Sequence, residues 1–315
     1  MAFARASFEW LAPSLAHARP KPWRRQRARI FAIGLAPALV VLAVITIGPT
    51  LYLLVTSLTP ASPVHPKSLT DFGDPLGNYR AMIGDGEFLN SLWVQAKLSV
   101  VTVVAQLAVG LGVALLLNAP SRFLEAVRTA FMLPMVLPPI VVAVIWKILF
   151  TPDISPLHHA LAAAGMPVHS LIANPDLALW AIVVADTWEW FPFTMLMVLA
   201  ALQMVPSEPI EAGRIDGAGP FALFRYILFP YIRPTLVVAA LFRLIDSIKA
   251  FPLIYVLTNG GPGTATEVTN YYAFVEAFNF SYWGYGAAIA TLMVTGVLLL
   301  SWLVDRLNPE EALDE

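Results

Sequence analysis

The stretch that decides the fold is residues 206–234, which read PSEPIEAGRIDGAGPFALFRYILFPYIRP. It is a polar interruption between two long apolar runs, and its residue order predicts a short helix on each side of a glycine turn. Ser207 is placed to cap the first helix, and Pro209 falls in its first turn, where a missing N–H costs nothing. Glu208 and Glu211 lie early in that helix, where negative charge suits the helix dipole.

The second half of the stretch contains the turn and the second helix. Gly217 and Gly219 end the first helix, because glycine tolerates the backbone angles that a chain reversal needs. Pro220 begins the second helix, and Pro230 and Pro234 are predicted to end it before the next apolar run. An amphipathic pair of helices with an acidic surface suits docking into a groove on another protein. A connector at the membrane surface that binds no partner is the alternative.

The composition is that of an integral membrane protein. Of the 315 residues, 58% are hydrophobic and only 13% are charged, and the mean hydropathy is +0.71. Soluble domains carry about 25% charged residues. The net charge of −2 gives no indication of a nucleic-acid partner. Because the chain has no cysteine, disulfides, thiol chemistry and cysteine-ligated metals are excluded.

Six apolar runs are long enough to cross the bilayer core of about 30 Å. The first, residues 31–58, follows a basic N-terminal tail at residues 1–30. It is too long for the apolar core of a signal peptide, so we predict an uncleaved first helix followed by a loop at residues 59–90. The other five spans are predicted at residues 91–117, 129–150, 177–204, 235–258 and 285–304.

The distribution of basic residues orients these helices. Thirteen of the 19 Lys and Arg residues lie in segments on the side of the N-terminal tail, and only Lys67 and Arg80 lie in segments on the other side. Since cytoplasmic segments carry the excess of Lys and Arg, both termini are predicted to be cytoplasmic. The segments predicted to be cytoplasmic with them are 206–234 and the C-terminal tail 305–315. The predicted external loops are 59–90, 151–176 and 259–284.

The cytoplasmic stretch resembles the Glu-Ala-Ala signature of ATP-binding-cassette (ABC) importer permeases. The matching positions are Glu211, Ala212, Gly213, Asp216, Gly217, Ala218, Phe224, Ile227, Phe229, Pro230 and Pro234. Gly213 and Phe229 depart from the pattern, which has Ala and Leu there. Residues 242–251 and the turn at 260–262 resemble the carbohydrate-uptake subfamily (maltose or glycerol-3-phosphate type), although Pro252 replaces a frequent Asp.

This resemblance covers residues 90–304 and implies the fold and partners of a binding-protein-dependent transport inner membrane component. The implied fold is an all-α, polytopic type I ABC importer transmembrane domain in the bacterial cytoplasmic (inner) membrane. The implied partners are a second permease subunit in a heterodimer, two ATP-binding subunits that hold ATP and Mg, an extracytoplasmic solute-binding protein and membrane lipid. The residues implied to couple to the ATPase are Glu211, Ala212, Asp216, Gly217 and Ala218.

Charged side chains inside the apolar runs are candidates for a solute pathway. A charge at mid-bilayer costs about 2.5–3.5 kcal/mol on insertion scales, so its position is informative. Asp186 and Glu189 are three residues apart and share a helix face, and Trp188 and Trp190 flank Glu189. Arg243, Asp246 and Lys249 recur at the same spacing near the predicted centre of their span, so Asp246 can pair with either cation.

Two interpretations of these groups remain open. In one they are internal ion pairs that face the helix bundle. In the other they line a polar cavity, where sugar hydroxyls meet carboxylates and aromatic rings. The second interpretation assigns to the substrate pathway Asp186, Trp188, Glu189, Trp190, Asp246 and Tyr255.

Neither a catalytic site nor a metal site is predicted. His158, His159 and His169 lie in one external loop, where we expect them to be solvated, and no His-Glu-x-x-His pattern accompanies them. The sequence also lacks the Gly-x-x-x-x-Gly-Lys-Ser/Thr loop that holds nucleotide phosphates. The chain is therefore predicted to be a transport subunit, not an enzyme, with ATP and Mg bound by partner subunits and no cofactor of its own.

An ion-coupled secondary transporter that acts without an ATPase is the alternative function. A proton relay through Asp186, Glu189 and Asp246 suits such a protein. Inverted-repeat transporters usually show two similar halves, and the sequence shows no convincing internal repeat. An intramembrane enzyme lacks any nucleophile–base pair or metal constellation. The sequence does not identify the transported solute.

Overall fold

The computed structural model describes residues 23–165 and 170–307. The first 22 residues of the predicted N-terminal tail, His169 and residues 308–315 of the C-terminal tail lie outside the described residues. Every regular element within the described ranges is helical. The longer helices are α1 (Trp23–Ser57), α3 (Gly86–Leu117), α8 (Pro175–Gln203), α11 (Phe229–Ile248) and α14 (Trp283–Leu307). The shorter helices are α2 (Gly77–Gly84), α4 (Arg122–Phe131), α5 (Leu133–Val136), α6 (Pro139–Phe150), α7 (Pro156–Ala163), α9 (Ser207–Ile215), α10 (Pro220–Leu223), α12 (Pro252–Leu257) and α13 (Thr269–Phe274).

The chain divides into two compact units, Met1–Tyr52 and Leu53–Glu315. The described part of the first unit consists of α1 up to Tyr52. This helix continues through Pro37 and Pro49, and its large apolar side chains between Leu35 and Tyr52 are exposed. An apolar surface of this kind on a helix long enough to cross a bilayer suits contact with lipid.

The second unit is organised around the packing of α3 against α8. The two backbones approach so closely at Gly110 that a Cβ atom there would lie 2.6 Å from Cβ of Thr194. Small residues permit this close approach, which supplies much of the helix association energy in a membrane. One apolar cluster joins these two helices to α6, α12 and α13, and a second joins their other ends to Ile232 of α11.

The predicted span 129–150 is interrupted. The chain forms α4, then α5 after Met132, then α6 after a break at Leu137–Pro138. Pro138 and Pro139 explain the second break, because proline lacks the N–H that would continue the ladder and excludes the preceding residue from helical geometry. With 12 residues, α6 is about 18 Å long, shorter than the bilayer core.

The predicted span 235–258 is interrupted as well. It ends as a helix at Ile248, and α12 begins only at Pro252. The described residues contain five helices long and apolar enough to cross a membrane, with α6 as a shorter apolar helix. The count of six spans and the cytoplasmic position of the termini therefore remain predictions.

Two expectations for residues 206–234 are wrong. Pro206, not Ser207, is the N-cap residue of α9. Pro230 and Pro234 do not end the second helix, since the chain is helical without a break from Pro220 to Ile248. A π turn at Phe224–Leu228 precedes Pro230, which falls in the first turn of α11. A proline inside a continuous helix lacks the N–H for one bond of the ladder, and the π turn lies at that place.

Candidate functional site

A cavity of about 180 Å³, with charged residues in its wall, lies where α6, α8, α11 and α12 meet. It sits beside the two breaks described above, because the first residues of α6 and α12 form part of its wall. Irregular backbone at membrane depth is tolerated where it lines a cavity. The residues lining the cavity are Pro139, Asp186, Glu189, Trp190, Arg243, Asp246, Lys249, Ala250, Pro252 and Leu253.

Helical spacing brings the polar residues to this cavity. Asp186, Glu189 and Trp190 lie three and four residues apart on α8 and therefore share one face. Arg243 and Asp246 are three residues apart on α11, where Asp246 falls in the last turn and not at the centre of a span. The three residues of α8 and the two of α11 thus line the same cavity.

Gln106 of α3 connects the two charged helices. Its Nε2 donates to Oδ2 of Asp186 at 2.7 Å, and its Oε1 accepts from Nε of Arg243 at 2.9 Å. All three residues are buried, so each hydrogen bond avoids the cost of a buried, unsatisfied polar group. The sequence prediction missed Gln106. Its signal was a glutamine three helical turns from Gln95 in a predominantly apolar run, and Gln95 also bonds to α11, at the carbonyl oxygen of Ser247 (3.1 Å).

Arg243 is held from several directions. Only 2% of its surface is exposed, and its Nη1 donates to Oδ2 of Asp246 at 3.2 Å. The guanidinium carbon lies 4.3 Å from the ring centroid of Trp190, a geometry in which the cation is attracted by the aromatic face. Lys249 is the outer partner of Asp246, at 3.9 Å and 65% side-chain exposure. The predicted pairing of Asp246 with both cations is observed.

Glu189 differs from its charged neighbours. The residue is 1% exposed, and neither carboxylate oxygen has a hydrogen-bond partner within the described residues. Asp186, one turn away on the same face, is satisfied by Gln106. A buried polar group without a partner costs free energy in the folded chain. Glu189 is therefore the buried polar group of this cavity whose hydrogen-bonding capacity is unused.

Two of the predicted pathway residues lie elsewhere. Trp188 does not line the cavity; it packs edge-on against Trp146 of α6, with ring centroids 5.8 Å apart. Tyr255 of α12 is 44% exposed and stacks on Phe251 at 5.4 Å, outside the lining. The structure thus brings together Asp186, Glu189, Trp190 and Asp246 and separates Trp188 and Tyr255 from them.

The predicted ATPase-coupling residues form a compact helical hairpin. Gly217 joins α9 to α10 with φ +82°, the left-handed conformation that glycine adopts without strain. Gly213 packs against the second helix, where an added Cβ would lie 2.9 Å from the terminal carbons of Leu223 and Ile227. The departure from Ala at Gly213 thus fits close packing. Glu211, Ala212 and Asp216 are exposed and Ala218 is half-buried.

This hairpin also presents apolar side chains to its surroundings. Ile215, Phe221 and Tyr226 are among the most exposed large side chains of the chain. The acidic Glu211 and Asp216 belong to the same hairpin and are exposed as well. A surface that combines exposed aromatic side chains with fixed charges is typical of a protein–protein contact.

The described residues show no group of three or more potential ligands placed to hold a metal ion. One expectation for the external histidines is wrong, since His158 is buried. The reason is local: Ser155 caps α7 by accepting from the backbone N–H of His158, and that turn folds the imidazole inward. His159 is exposed, as expected.

The helical membrane fold and the cavity with charged residues in its wall are typical of polytopic membrane transport proteins. Comparison with known proteins identifies the family. Residues 106–311 match the model of the binding-protein-dependent transport system inner membrane component. The chain belongs to this family. It is therefore an inner membrane, multi-pass permease component of an ABC transporter, and not itself an enzyme.

Named relatives match over most of their length. The trehalose/maltose transport system permease protein MalF of Thermococcus litoralis is 36% identical over 73% of this chain and 77% of its own. The sulfoquinovosyl glycerol transport system permease protein SmoG of Agrobacterium fabrum is 32% identical over 86% of this chain and 88% of its own. The trehalose transport system permease protein SugA of Mycobacterium tuberculosis is 30% identical over 90% of each chain.

A solved structure supports the fold. One chain of a bacterial alginate ABC transporter, crystallised with an alginate pentasaccharide-bound periplasmic protein, superimposes with a TM-score of 0.78. The match covers 93% of this chain and 98% of the other at 17% sequence identity. The predicted all-α fold of an ABC importer transmembrane domain is thereby confirmed.

Proposed function

We propose that this chain is a permease subunit of an ATP-driven importer for a sugar, a polyol or a related small polar solute. The observation that carries the proposal is the membership of the family together with relatives named for trehalose, maltose and sulfoquinovosyl glycerol transport. The chain contributes half of the translocation pathway. The cavity lined by Asp186, Glu189, Trp190 and Asp246 belongs to that half.

The cavity has the chemistry that such a solute needs. Sugar hydroxyls are donors and acceptors, and they find carboxylates, a guanidinium and an indole within one small space. The network of Gln106, Asp186 and Arg243 holds these groups in fixed orientations, which lowers the entropy lost when a solute binds.

Residues 206–234 dock a separate ATP-binding subunit in this proposal. The hairpin is short, its turn is fixed at Gly217, and it carries both exposed apolar side chains and an exposed carboxylate at Glu211. Glu211 supplies a charged contact, and Ala212, Asp216 and Ala218 flank the turn. The apolar contact of Gly213 with Leu223 and Ile227 makes the hairpin stiff enough to transmit a movement.

The importer contains further subunits. We assign to it a second, related permease, two ATP-binding subunits with ATP and Mg, and an extracytoplasmic solute-binding protein. ATP closes the ATPase pair, the docked hairpins move, and the two permeases change from an inward-open to an outward-open arrangement. The loaded binding protein then releases its solute into the cavity, so ATP and the binding protein bias the same bistable element from opposite sides.

The test compares two glycines of the hairpin in the complete importer, purified with the products of the neighbouring genes and reconstituted into sealed lipid vesicles. Gly217 has φ +82°, whereas Gly219, two residues away, has φ −71° and open space around its Cβ position. Gly217→Val distorts the turn, because a side chain there is strained, and Gly219→Val does not. We expect Gly217→Val to lose solute uptake by roughly tenfold or more and Gly219→Val to retain it.

Two results contradict the proposal. Normal uptake by Gly217→Val removes the assigned role of the hairpin. Uptake by this chain alone, driven by a proton or sodium gradient in the absence of any ATPase, favours the ion-coupled secondary transporter. In that case the carboxylates of the cavity are candidates for a proton relay.

A further inference from the structure

The charged residues in the cavity wall fall into a buried group and an exposed group. Asp186, Glu189 and Arg243 are 5%, 1% and 2% exposed, so almost none of their surface is open to a molecule in the cavity. The side chains of Asp246 and Lys249 are 49% and 65% exposed. Of the charged groups that line the cavity, these two are the ones that a solute meets first.

Asp246 and Lys249 place a donor and an acceptor side by side. Oδ2 of Asp246 accepts from Nη1 of Arg243 at 3.2 Å, and this contact orients the carboxylate. The other oxygen, Oδ1, lies 3.9 Å from Nζ of Lys249, which is beyond the length of a hydrogen bond. The ammonium group of Lys249 therefore has donor capacity to spare beside a carboxylate oxygen.

The backbone that carries Lys249 is held in place at the break between α11 and α12, where this residue is the C-cap of α11. On one side, Gln95 of α3 donates to the carbonyl oxygen of Ser247 at 3.1 Å. On the other side, Asn270 of α13 donates to the carbonyl oxygen of Ala250 at 3.0 Å. Two other helices thus fix the backbone around Lys249, which lowers the entropy lost when its side chain binds a ligand.

A donor and an acceptor in this arrangement suit a ligand with hydroxyl groups on neighbouring carbon atoms. One hydroxyl donates to Oδ1 of Asp246, and the next accepts from Nζ of Lys249. Hydrogen bonds to charged groups are about twice as strong as those between neutral groups. An exposed ion pair contributes little to stability, so the ligand displaces no interaction on which the fold depends.

We propose that Lys249, together with Asp246, binds the solute and determines its specificity. The pair recognises a vicinal diol, which is the arrangement of hydroxyls that sugars and polyols share, and Lys249 is the donor in that contact. Arg243 is a positioning residue, because it acts on the solute through Asp246. The inference rests on the proposed function for the identity of the cavity as a solute site.

The first test measures whether a solute covers Lys249. The complete importer in lipid discs is treated with a small, water-soluble acetylating reagent, and acetylation of each lysine is followed by mass spectrometry. Lys67, which is exposed and does not line the cavity, is the reference for the reactivity of the reagent. The probes are maltose and xylitol, which have vicinal hydroxyls, and a terminal diol with the carbon chain of xylitol and hydroxyls only at its ends.

We expect maltose or xylitol to protect Lys249 from acetylation and to leave Lys67 as reactive as before, and the terminal diol to protect neither lysine. A Lys249 that does not react in the absence of a probe is not open to the cavity, which overturns the proposal. Absence of protection by both maltose and xylitol overturns it too. Equal protection by the terminal diol has the same consequence, because the contact then does not depend on neighbouring hydroxyls.

The second test asks whether the donors of Lys249 contribute to affinity. Because the sequence has no cysteine, Ala250→Cys supplies a single thiol in the cavity wall, and the protecting probe is titrated against its modification by iodoacetamide. Adding Lys249→Met, which keeps an unbranched side chain and removes the donors, should raise the half-protecting concentration roughly tenfold or more. Adding Lys249→Arg, which retains a cationic donor, should restore most of the affinity, and adding Lys67→Met should have no effect.

A half-protecting concentration that Lys249→Met leaves unchanged overturns the proposal. A rise that is accompanied by a lower unfolding temperature also overturns it, because loss of an exposed ion pair has little effect on stability and a destabilised variant indicates a structural role. Uptake by the importer with Gly217→Val and with Gly219→Val is measured separately. A failure of this inference is thereby distinguished from a failure of the proposed function.

Discussion

Two carboxylates of this chain stand in opposite situations. Asp85, at the start of α3, accepts four hydrogen bonds: from the hydroxyls of Tyr272 and Tyr285 and from the backbone N–H groups of Glu87 and Phe88. Glu189, in the cavity, accepts none within the described residues.

The difference separates a carboxylate that joins helices from one that the proposed function places in the solute pathway. The partners of Asp85 come from α3, α13 and α14, so this one side chain ties three helices together. Burial raises the pKa of Asp85, but the hydrogen bonds from both tyrosines and from the backbone outweigh it, so the pKa is held below its usual range. A carboxylate with all its acceptor sites filled stabilises the fold, whereas one with empty sites has capacity left for a ligand.

The largest expected effect is on stability, when each of the two acids is replaced by its amide in a separate variant. Asp85→Asn removes the charge that four donors share and places an NH₂ group among them, so we expect a loss of about 2–3 kcal/mol in the free energy of unfolding. Glu189→Gln removes no hydrogen bond, so its stability should stay within about 0.5 kcal/mol of wild type or rise. Thermal unfolding of the purified chain measures both.

The control for this pair is Asp71→Asn. Asp71 is exposed and accepts a single local hydrogen bond, from the N–H of Gly73, so its change should be small. If Asp85→Asn and Glu189→Gln destabilise the chain equally, the contrast between the two carboxylates is lost, and the proposed place of Glu189 in the solute pathway loses its support.

A smaller effect on stability is expected at Glu276, a carboxyl group that the charge of Asp85 influences. Burial first, and then the charges of Asp85 and Glu87, raise the pKa of Glu276. A carboxyl group whose pKa is raised in the folded state stabilises the fold below its unfolded pKa, about 4.3, and loses that contribution as the pH rises through the folded pKa. Glu276→Gln should therefore raise the unfolding temperature by about 2 °C at neutral pH and leave it unchanged below about pH 4.

The control for this pH dependence is Glu208→Gln, which changes an exposed carboxylate of α9. A stabilisation by Glu276→Gln that is the same at neutral and acidic pH would show that the charge of Glu276 is not its cause. Asp85 is present in wild type and in Glu276→Gln alike. The stability that the protein loses when Asp85 is protonated at acidic pH therefore cancels when the two are compared.

The sequence was sufficient where the determining interactions are local. The composition predicted a helical membrane protein, Gly217 and Gly219 predicted a chain reversal, and the spacing of Arg243, Asp246 and Lys249 predicted their pairing. Each of these depends on residues within a few positions of each other. The spacing also explains why Trp188 is absent from the cavity, since a residue two positions from Asp186 lies on another face of α8.

The sequence was insufficient where distant segments meet. Gln106 and Arg243 are 137 residues apart, and no local pattern indicates that one bonds the other. Proline had different consequences at different places: Pro139 and Pro252 begin new helices, whereas Pro230 follows a π turn in a helix that continues. The composition of the apolar runs could not distinguish these cases, because the outcome depends on how the neighbouring backbone satisfies its hydrogen bonds.

The central claim is that residues 206–234 couple this permease to an ATPase. The most direct measurement is ATP hydrolysis by the complete importer in lipid discs, with and without loaded binding protein, for wild type and Glu211→Lys. Glu125→Lys, the same charge reversal at an exposed position of α4, is the control. The account predicts binding-protein-stimulated hydrolysis that Glu211→Lys reduces roughly tenfold or more and Glu125→Lys preserves. If no ATPase co-purifies with the chain, or if Glu211→Lys hydrolyses ATP as wild type does, the hairpin is a connector without a coupling role.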